Sequence, residues 1–228
     1  LPELHLACSG LSVKAAKEEW KQLGLGKKNL TIALDWMHKE FSDAPELGSL
    51  INPRKSSAAN IISWDELSET LTSALNQESQ RTRRSDEDYD NVEAAVVAKG
   101  LSKAATMLAG QYQWVITNVP YLTRGKHNGP LINFVDKYYY DARKDLAAVM
   151  SNRIFDFLDV GTASLVLPLN VFQLTGYTKF REKILRTMEV GAFAKLGAGA
   201  FETISGENVS VALCSINNIS PRKNSTIF

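Results

Sequence analysis

The sequence predicts an α/β fold for its second half, a parallel sheet flanked by helices and closed by an antiparallel hairpin. One observation is that strand and helix signals alternate beyond Gly110, which is typical of parallel sheets. Another is the apolar, β-branched run Trp114–Thr117, which is typical of a buried strand. The third is the closing pair FAKLG and VSVALCSI, joined by a Gly-containing loop, which indicates a terminal hairpin.

The first half of the chain is predicted to be helical. From Ser12 to about Asn76 the apolar residues recur at spacings of three and four, as in amphipathic helices. The segments with this pattern are SVKAAKEEWKQLG, LTIALDWMHKEF and a helix that begins at Trp64 after a Ser63 N-cap. A polar run of mixed charge follows, typical of a solvated loop. We therefore divide the chain into a helical region with a polar linker, residues 1–88, and a second region, residues 89–228.

The second region is predicted to be a series of helices and strands. A helix rich in Ala and Val extends from Asp90 to Leu108, and Gly110 closes it. The elements that follow are a strand at Trp114–Thr117, a helix at Asn133–Met150, a strand at Ser164–Leu169, a helix at Tyr177–Met188 and a strand at Val209–Ile216. In open α/β sheets, ligands bind outside the carboxyl ends of the strands, so the segment after Thr117 is where we expect a site.

Composition narrows the classes of protein to which the chain can belong. Of its 228 residues, 44% are hydrophobic and 22% are charged, which is ordinary for a soluble globular protein. No apolar run is long enough for a membrane span, and no signal-peptide pattern is present at the start. Cys8 and Cys214 lie far apart without metal-ligand spacing, so we expect buried thiols in the reducing cytoplasm and no metal site. The net charge of +1 gives no support for a free-standing nucleic-acid-binding domain.

The tetrapeptide Asn118-Val119-Pro120-Tyr121 directly follows the strand predicted at Trp114–Thr117. An amide at the end of a strand can hydrogen-bond the edge of a planar heterocycle, while an aromatic side chain beyond a rigid turn can stack on its face. Asn and Pro are also ordinary turn residues, so the tetrapeptide by itself leaves a plain loop as the alternative.

Three blocks of the sequence together resemble one enzyme family. QWVITNVPYLTRGKHN resembles the Asn-Pro-Pro-Tyr motif of amino-methylating DNA methyltransferases and the Gly-Lys loop after it. KDLAAVMSNRIFDFLDVGTASLVLPLNVFQLTGYTKFREKIL resembles the next helix–strand–helix unit, and KLGAGAFETISGENVSVAL resembles the hairpin of the sixth strand. The chain is thus similar to the large N6-adenine DNA methyltransferases of restriction-associated and phage-exclusion (BREX) systems. Val119 stands where that family has its first proline.

The resemblance implies a fold and a set of site residues. The fold would be the C-terminal part of a Rossmann-like, S-adenosylmethionine-dependent methyltransferase sheet with a terminal hairpin, preceded by the helical region. The expected catalytic segment is Asn118–Tyr121, with Tyr121 and Phe201 as the aromatic residues of the base pocket. The other expected contacts are Arg124 and Lys126 to DNA phosphates, and Asn118, Asp145 and Leu146 to the cofactor. The expected partners are double-stranded DNA with a flipped adenine and the subunits of a defence system.

The cofactor half of the site is not evident in the sequence. S-adenosylmethionine sites of this fold have a glycine-rich turn after the first strand, but the candidate Ala7–Gly10 follows no convincing strand and lacks Gly-x-Gly spacing. By family order we expect the main cofactor motif upstream of Leu1. We therefore interpret the chain as the target-base half of a longer enzyme, inactive in isolation.

Several alternatives remain open from the sequence alone. Similar turns serve methyltransferases that act on RNA amines or on protein amides, and a relative without activity could survive as an interaction module. Tyr121 could pack under the loop instead of stacking on a base, and Phe201 could be a core residue. His127 is expected to be a surface histidine, and at least one residue of Tyr138–Tyr140 is expected in the core.

Overall fold

The computed structural model describes residues 5–7, 28–55, 69, 73, 100–196 and 210–221. The chain divides into two compact units, Leu1–Gly110 and Gln111–Phe228. The region boundary predicted after residue 88 lies outside the described residues and stays a prediction.

The first unit is helical where it is described. Its elements are helix α1 (Lys28–Glu40), helix α2 (Ala44–Leu47), short 3-10 turns at Gly48–Leu50 and Pro53–Lys55, and helix α3 over residues 100–109. Leu34, Met37 and Phe41 are fully buried at spacings of three and four, as the pattern of LTIALDWMHKEF predicts. The helices predicted over residues 12–24 and from Trp64 lie outside the described residues.

The second unit contains a four-stranded sheet. Its strands are β1 (Tyr112–Asn118), β2 (Leu158–Pro168), β3 (Glu189–Lys195) and β4 (Val211–Asn217), in the spatial order β1-β2-β4-β3. β1 and β2 are parallel, whereas β4 is antiparallel to both β2 and β3. The mixed α/β sheet and its terminal hairpin confirm the predicted fold class.

Helices cover one face of this sheet. They are α4 (Gly129–Tyr138), α5 (Leu146–Asp156), α6 (Asn170–Gln173) and α7 (Thr178–Thr187). Helix α5 packs on β2 and α7 packs on β3. No helix in the described part of the chain combines the length and the apolar character that crossing a membrane requires.

The single helix predicted over Asn133–Met150 is wrong, because the structure has two helices there. Helix α4 ends at Tyr138, and a 3-10 turn at Tyr140–Ala142 follows. Asp145 then begins α5 as an N-cap whose carboxylate accepts the N–H of Ala147 at 2.8 Å. A side-chain cap satisfies a main-chain donor that the first helical turn leaves unpaired, so a capping Asp favours a new helix start at this position.

Residues on β1 alternate between the two faces of the sheet. Val115 and Thr117 are half-buried towards the helices, whereas Trp114 and Ile116 are 66% and 72% exposed on the opposite face. The indole N–H of Trp114 donates to the hydroxyl oxygen of Ser164 on β2 at 3.1 Å, which ties the two strands on this open face. The sheet therefore has one covered face and one open face in the described residues. The expectation that Trp114–Thr117 is a buried strand is wrong, because the strand forms but only one of its faces is covered.

A bulge between β1 and β2 fixes the register that places the end of β1. Tyr112 pairs with Leu158, but Trp114 pairs with Thr162, so β2 accommodates extra residues near Gly161. A Cβ at Gly161 would lie 2.5 Å from the carbonyl oxygen of Gln113. Only glycine allows this approach, and the resulting register pairs Asn118 with Val166.

Candidate functional site

Asn118 is the last residue of β1, where the strand reaches the carboxyl edge of the sheet. It pairs in parallel register with Val166, and its side chain is exposed. This is the edge at which ligands bind in open α/β sheets. The amide of Asn118 is therefore presented to solvent from the end of a rigid strand.

Val119 is anchored by packing. Its side chain is only 3% exposed, because it continues the alternation of Val115 and Thr117 towards the covered face. A proline ring would fix φ by covalent geometry, which valine does not do. Burial of the Val119 side chain supplies a tertiary constraint on the same peptide, while the following Pro120 is exposed.

The side chain of Tyr121 turns back towards the end of β1. Its hydroxyl donates to Oδ1 of Asn118 at 3.4 Å, which is long for an O–H···O bond and therefore weak. The ring is half-buried. Burial and the nearby Asp145 carboxylate both raise the pKa of Tyr121, so the phenol stays protonated at neutral pH. The structure thus brings Asn118 and Tyr121 together as the sequence analysis expects.

The two expected phosphate-binding side chains lie in a 3-10 turn, Arg124–Lys126, but in different electrostatic settings. The guanidinium of Arg124 makes two parallel hydrogen bonds to the Asp136 carboxylate, at 2.8 and 2.7 Å. These bonds hold the pKa of Asp136 below its usual value. Lys126 is exposed and forms no ion pair with any residue that the structure describes.

Asp145 and Leu146, the expected cofactor contacts, lie beside the loop that follows β1. The Asp145 side chain is 6% exposed. Burial raises its pKa, and hydrogen bonds from the main chain of Ala147 and Leu122 oppose that rise. Leu146 is half-buried, and its N–H donates to the Leu122 carbonyl at 2.8 Å. Asp145 is thus tied to the main chain of this loop.

Two side chains of this region went unrecognised in the sequence. The expectation that His127 is a surface residue is wrong, because it is 7% exposed and its Nε2 lies 3.0 Å from the Leu122 carbonyl oxygen. Tyr177 is also buried, and its pKa is raised by burial and by the Asp145 carboxylate. A lone histidine in a polar loop and a tyrosine at a helix start carry no local pattern that would reveal this burial.

Phe201, the second expected aromatic of the base pocket, lies outside the described residues. The ends of its loop are described, because β3 ends at Lys195 and β4 begins at Val211. Val211 pairs with Pro168 at the carboxyl end of β2. The loop therefore leaves and rejoins the sheet at the edge that carries Asn118.

An apolar cavity of about 360 Å³ lies between the hairpin and the helices α6 and α7, and Phe172, Phe193 and Cys214 contribute to its lining. Burial raises the pKa of the Cys214 thiol to about 12, which confirms the predicted buried thiol. Cys8 lies outside the described residues. No group of acidic, histidine or cysteine side chains in the described residues could hold a metal ion.

Comparison with known proteins gives sequence relatives of defined activity. The chain is 30% identical over 170 residues to the adenine-specific methyltransferase PglX of Lacticaseibacillus casei (strain Zhang), covering 74% of this chain and 13% of that protein. It is 32% identical over 132 residues to the adenine-specific methyltransferase BrxX of Escherichia coli O9:H4 (strain HS), covering 58% of this chain and 11% of that protein. The chain thus spans only a small part of the length of these relatives.

Among solved structures, a modification subunit of a putative type I restriction enzyme from Vibrio vulnificus YJ016 superposes with a TM-score of 0.40 at 13% identity. The match covers 66% of this chain and 38% of that subunit, and it is too slight to carry an argument. Residues 12–201 match the family described as Eco57I restriction-modification methylase, and this range includes the whole loop after β1. The chain therefore belongs to the Eco57I restriction-modification methylase family.

Proposed function

We propose that this chain carries the target-base side of a DNA methyltransferase that modifies the N6 amine of adenine, in a restriction-modification or phage-defence setting. The observation that carries the proposal is the pairing of Asn118, at the carboxyl end of β1, with Tyr121, whose hydroxyl lies 3.4 Å from the Asn118 amide oxygen. Family membership and two adenine-specific relatives support it.

The proposed chemistry depends on hydrogen-bond acceptors at the end of β1. The exocyclic amine of adenine is a poor nucleophile because its lone pair is delocalised into the ring. Oδ1 of Asn118 accepts one amine hydrogen and the main-chain carbonyl of Val119 accepts the other, which returns electron density to the nitrogen. The main-chain carbonyl of Val119 is present whatever the side chain of that residue is, so valine can serve where the family has proline.

Tyr121 is proposed as the stacking partner of the base. A base inside a duplex is inaccessible, so the adenine must rotate out of the helix, at a cost of a few kcal/mol. Stacking on an aromatic ring contributes about 1–3 kcal/mol and offsets much of that cost. The weak contact between the Tyr121 hydroxyl and Asn118 is easily exchanged for a base amine, because a 3.4 Å bond contributes little. Phe201 is proposed to complete the pocket.

S-adenosylmethionine would supply the electrophilic methyl group. The residues described here fit only part of a cofactor site. The half-buried Leu146 can line it. The Asp145 carboxylate already accepts main-chain N–H groups, so it supports the loop beside the site and does not contact the cofactor directly. By family order, we propose that the main glycine-rich cofactor motif belongs to another part of the full-length protein. The chain alone is accordingly expected to bind S-adenosylmethionine weakly, which calorimetry can measure.

DNA is the proposed macromolecular partner, with subunits of a defence system as further partners. Lys126 is exposed beside the base site and suits a phosphate contact, which positions a duplex without reading its sequence. Arg124 can make the same contact only by sharing its guanidinium with Asp136. The phosphate contact is therefore assigned chiefly to Lys126.

Product analysis tests this function. The full-length protein that contains this chain is incubated with S-adenosylmethionine labelled in its methyl group and with duplex DNA, RNA or protein. Digestion to nucleosides and mass spectrometry should show the label as N6-methyladenine in DNA. Label in RNA, in protein or on cytosine would assign another substrate. The absence of any transfer by a folded, cofactor-binding protein would favour an interaction module.

A further inference from the structure

The main chain of Leu122, the residue directly after Tyr121, is hydrogen-bonded on both sides. Its N–H donates to the buried carboxylate of Asp145. Its carbonyl oxygen accepts the N–H of Leu146 at 2.8 Å and lies 3.0 Å from Nε2 of His127. Three partners therefore converge on one residue of the loop.

The geometry assigns a donor role to Nε2 of His127. The Leu122 carbonyl can only accept, so Nε2 must carry the hydrogen that it donates. Nδ1 is buried without a hydrogen-bond partner in the part of the chain that the structure describes. The imidazole thus serves as a one-sided donor to this loop.

We call the hydrogen bonds that join Asp145, Leu146 and His127 to the main chain of Leu122 the clamp. Contacts between the same two segments continue beyond it. Thr123 forms an isolated antiparallel bridge with Asp145, and the N–H of Arg124 donates to the Lys144 carbonyl at 3.0 Å. The segment after Tyr121 is therefore pinned to the segment that begins α5. On the other side of Tyr121, Val119 is held by burial. The hydroxyl of Tyr121 adds only a long hydrogen bond, so the position of its ring depends chiefly on these flanking contacts.

We infer that His127 and Asp145 are positioning residues that fix the Leu122 peptide, and thereby set the plane in which the Tyr121 ring receives the target base. This inference rests on the proposed function. Neither side chain touches the base, so both act through the main chain. Displacement of a reacting group by about 1 Å can cost on the order of 10²-fold in rate, and this is the type of loss that we expect.

Asn128 provides a matched control within the same loop. Its side chain caps α4 by accepting the N–H of Leu131 at 3.1 Å, just as Asp145 caps α5. It forms no hydrogen bond with Leu122 in the part of the chain that the structure describes. A loss of helix capping alone is therefore reproduced by Asn128→Ala, whereas a loss of the clamp is not.

The test uses the full-length protein and two duplexes, one with adenine at the target position for methyl transfer and one with 2-aminopurine there for fluorescence. His127→Ala removes the donor to Leu122, and His127→Gln restores an N–H group at similar reach. Asp145→Ser keeps a cap for α5 but is too short to reach Leu122. Single-turnover methyl transfer should fall on the order of 10–100-fold in His127→Ala and Asp145→Ser. It should stay within about threefold of wild type in Asn128→Ala, and His127→Gln should recover most of the rate.

A second measurement separates positioning from folding. The affinity for the duplex and for the cofactor should stay within about twofold in both clamp variants, while the fluorescence of the flipped 2-aminopurine should change because its stacking on Tyr121 is altered. Equal losses in Asn128→Ala, or no rescue by His127→Gln, would overturn the inference. If Asn118→Ala and both clamp variants all leave methyl transfer intact, the proposed function and the positioning role both fail. If Asn118→Ala abolishes transfer while both clamp variants are fully active, only the positioning role fails.

Discussion

The two ends of helix α5 each bury a charged side chain, yet the surroundings of these side chains differ. At the N-terminus the Asp145 carboxylate caps the helix, and in the last turn the fully buried Arg153 places its guanidinium 3.8 Å from the Phe157 ring. Both signs of charge suit the helix dipole. The first end faces the loop after β1, where Asn118 and Pro120 are exposed to solvent.

The surroundings of the two ends explain the difference. Near Arg153, the hydroxyl of Tyr139 is hydrogen-bonded to Asp156, and burial is the main reason that the pKa of this tyrosine is raised. The aromatic rings near this end of the helix are those of Tyr139 and Phe157. At the other end, the Asp145 carboxylate is hydrogen-bonded to the main chain of the loop that follows β1 at the carboxyl edge of the sheet. A buried charge next to an open edge is therefore the arrangement that points to function.

The largest expected effect is that of Asn118→Ala on methyl transfer. Loss of the amide acceptor should lower kcat by on the order of 10²–10³-fold, comparable to the removal of one preorganised group that stabilises developing charge. The exposed Asn118 side chain carries little packing, so the midpoint of chemical denaturation should stay unchanged. Transfer at a near wild-type rate would show that Asn118 is only a turn residue.

Arg153→Ala should show the reverse behaviour at the other end of α5. It removes a desolvated cation–π contact and the packing of the buried side-chain stem, so the free energy of unfolding should fall by about 2 kcal/mol or more. The rate of transfer per folded molecule should be unaffected. Denaturant unfolding and an assay normalised to the folded fraction check both parts, and a selective loss of kcat would break the distinction between the two ends.

Tyr121 sharpens the comparison through two substitutions. Tyr121→Ala should weaken binding of a duplex with a flipped adenine by about 1–3 kcal/mol, and less when the target base is mismatched and easier to unstack. Tyr121→Phe keeps the ring and loses only the long bond to Asn118, so its affinity should match that of the wild type. Titration of both duplexes with each variant separates stacking from hydrogen bonding, and a large loss in Tyr121→Phe would contradict the stacking role.

The smallest expected effect is that of Lys126→Ala. Removal of one phosphate contact should weaken binding to all duplexes alike and reduce the salt dependence of log K by about one unit of slope. Arg124→Ala should reduce that slope less, because its charge is already compensated by Asp136. Binding measured over a series of salt concentrations tests this order, and the reverse order would show that the Asp136 pair opens on DNA.

Local patterns were sufficient for the elements whose residues repeat with a clear period. Helix α1 and the strand β1 follow from apolar spacing and β-branched composition, and the hairpin β3–β4 follows from two strand signals around a Gly-containing loop. Tyr139 is buried while Tyr138 and Tyr140 are exposed, which confirms that at least one of the three lies in the core. The break between α4 and α5 was missed, because apolar spacing persists across Tyr139–Asp145 while the cap at Asp145 depends on a buried carboxylate.

The sequence by itself determined the order of the four strands, the family and the place of Asn118 at the end of a strand. Each of these is a local property of the chain, set by periodicity or by a contiguous motif. The tertiary structure alone decided that His127 and Asp145 meet at Leu122 and that Arg124 is neutralised by Asp136. It also decided that Val119 is constrained by the burial of its side chain, where the family has the constraint of a proline ring. Such contacts join separate segments, and their effect depends on exclusion from water, which no local spacing in the chain encodes.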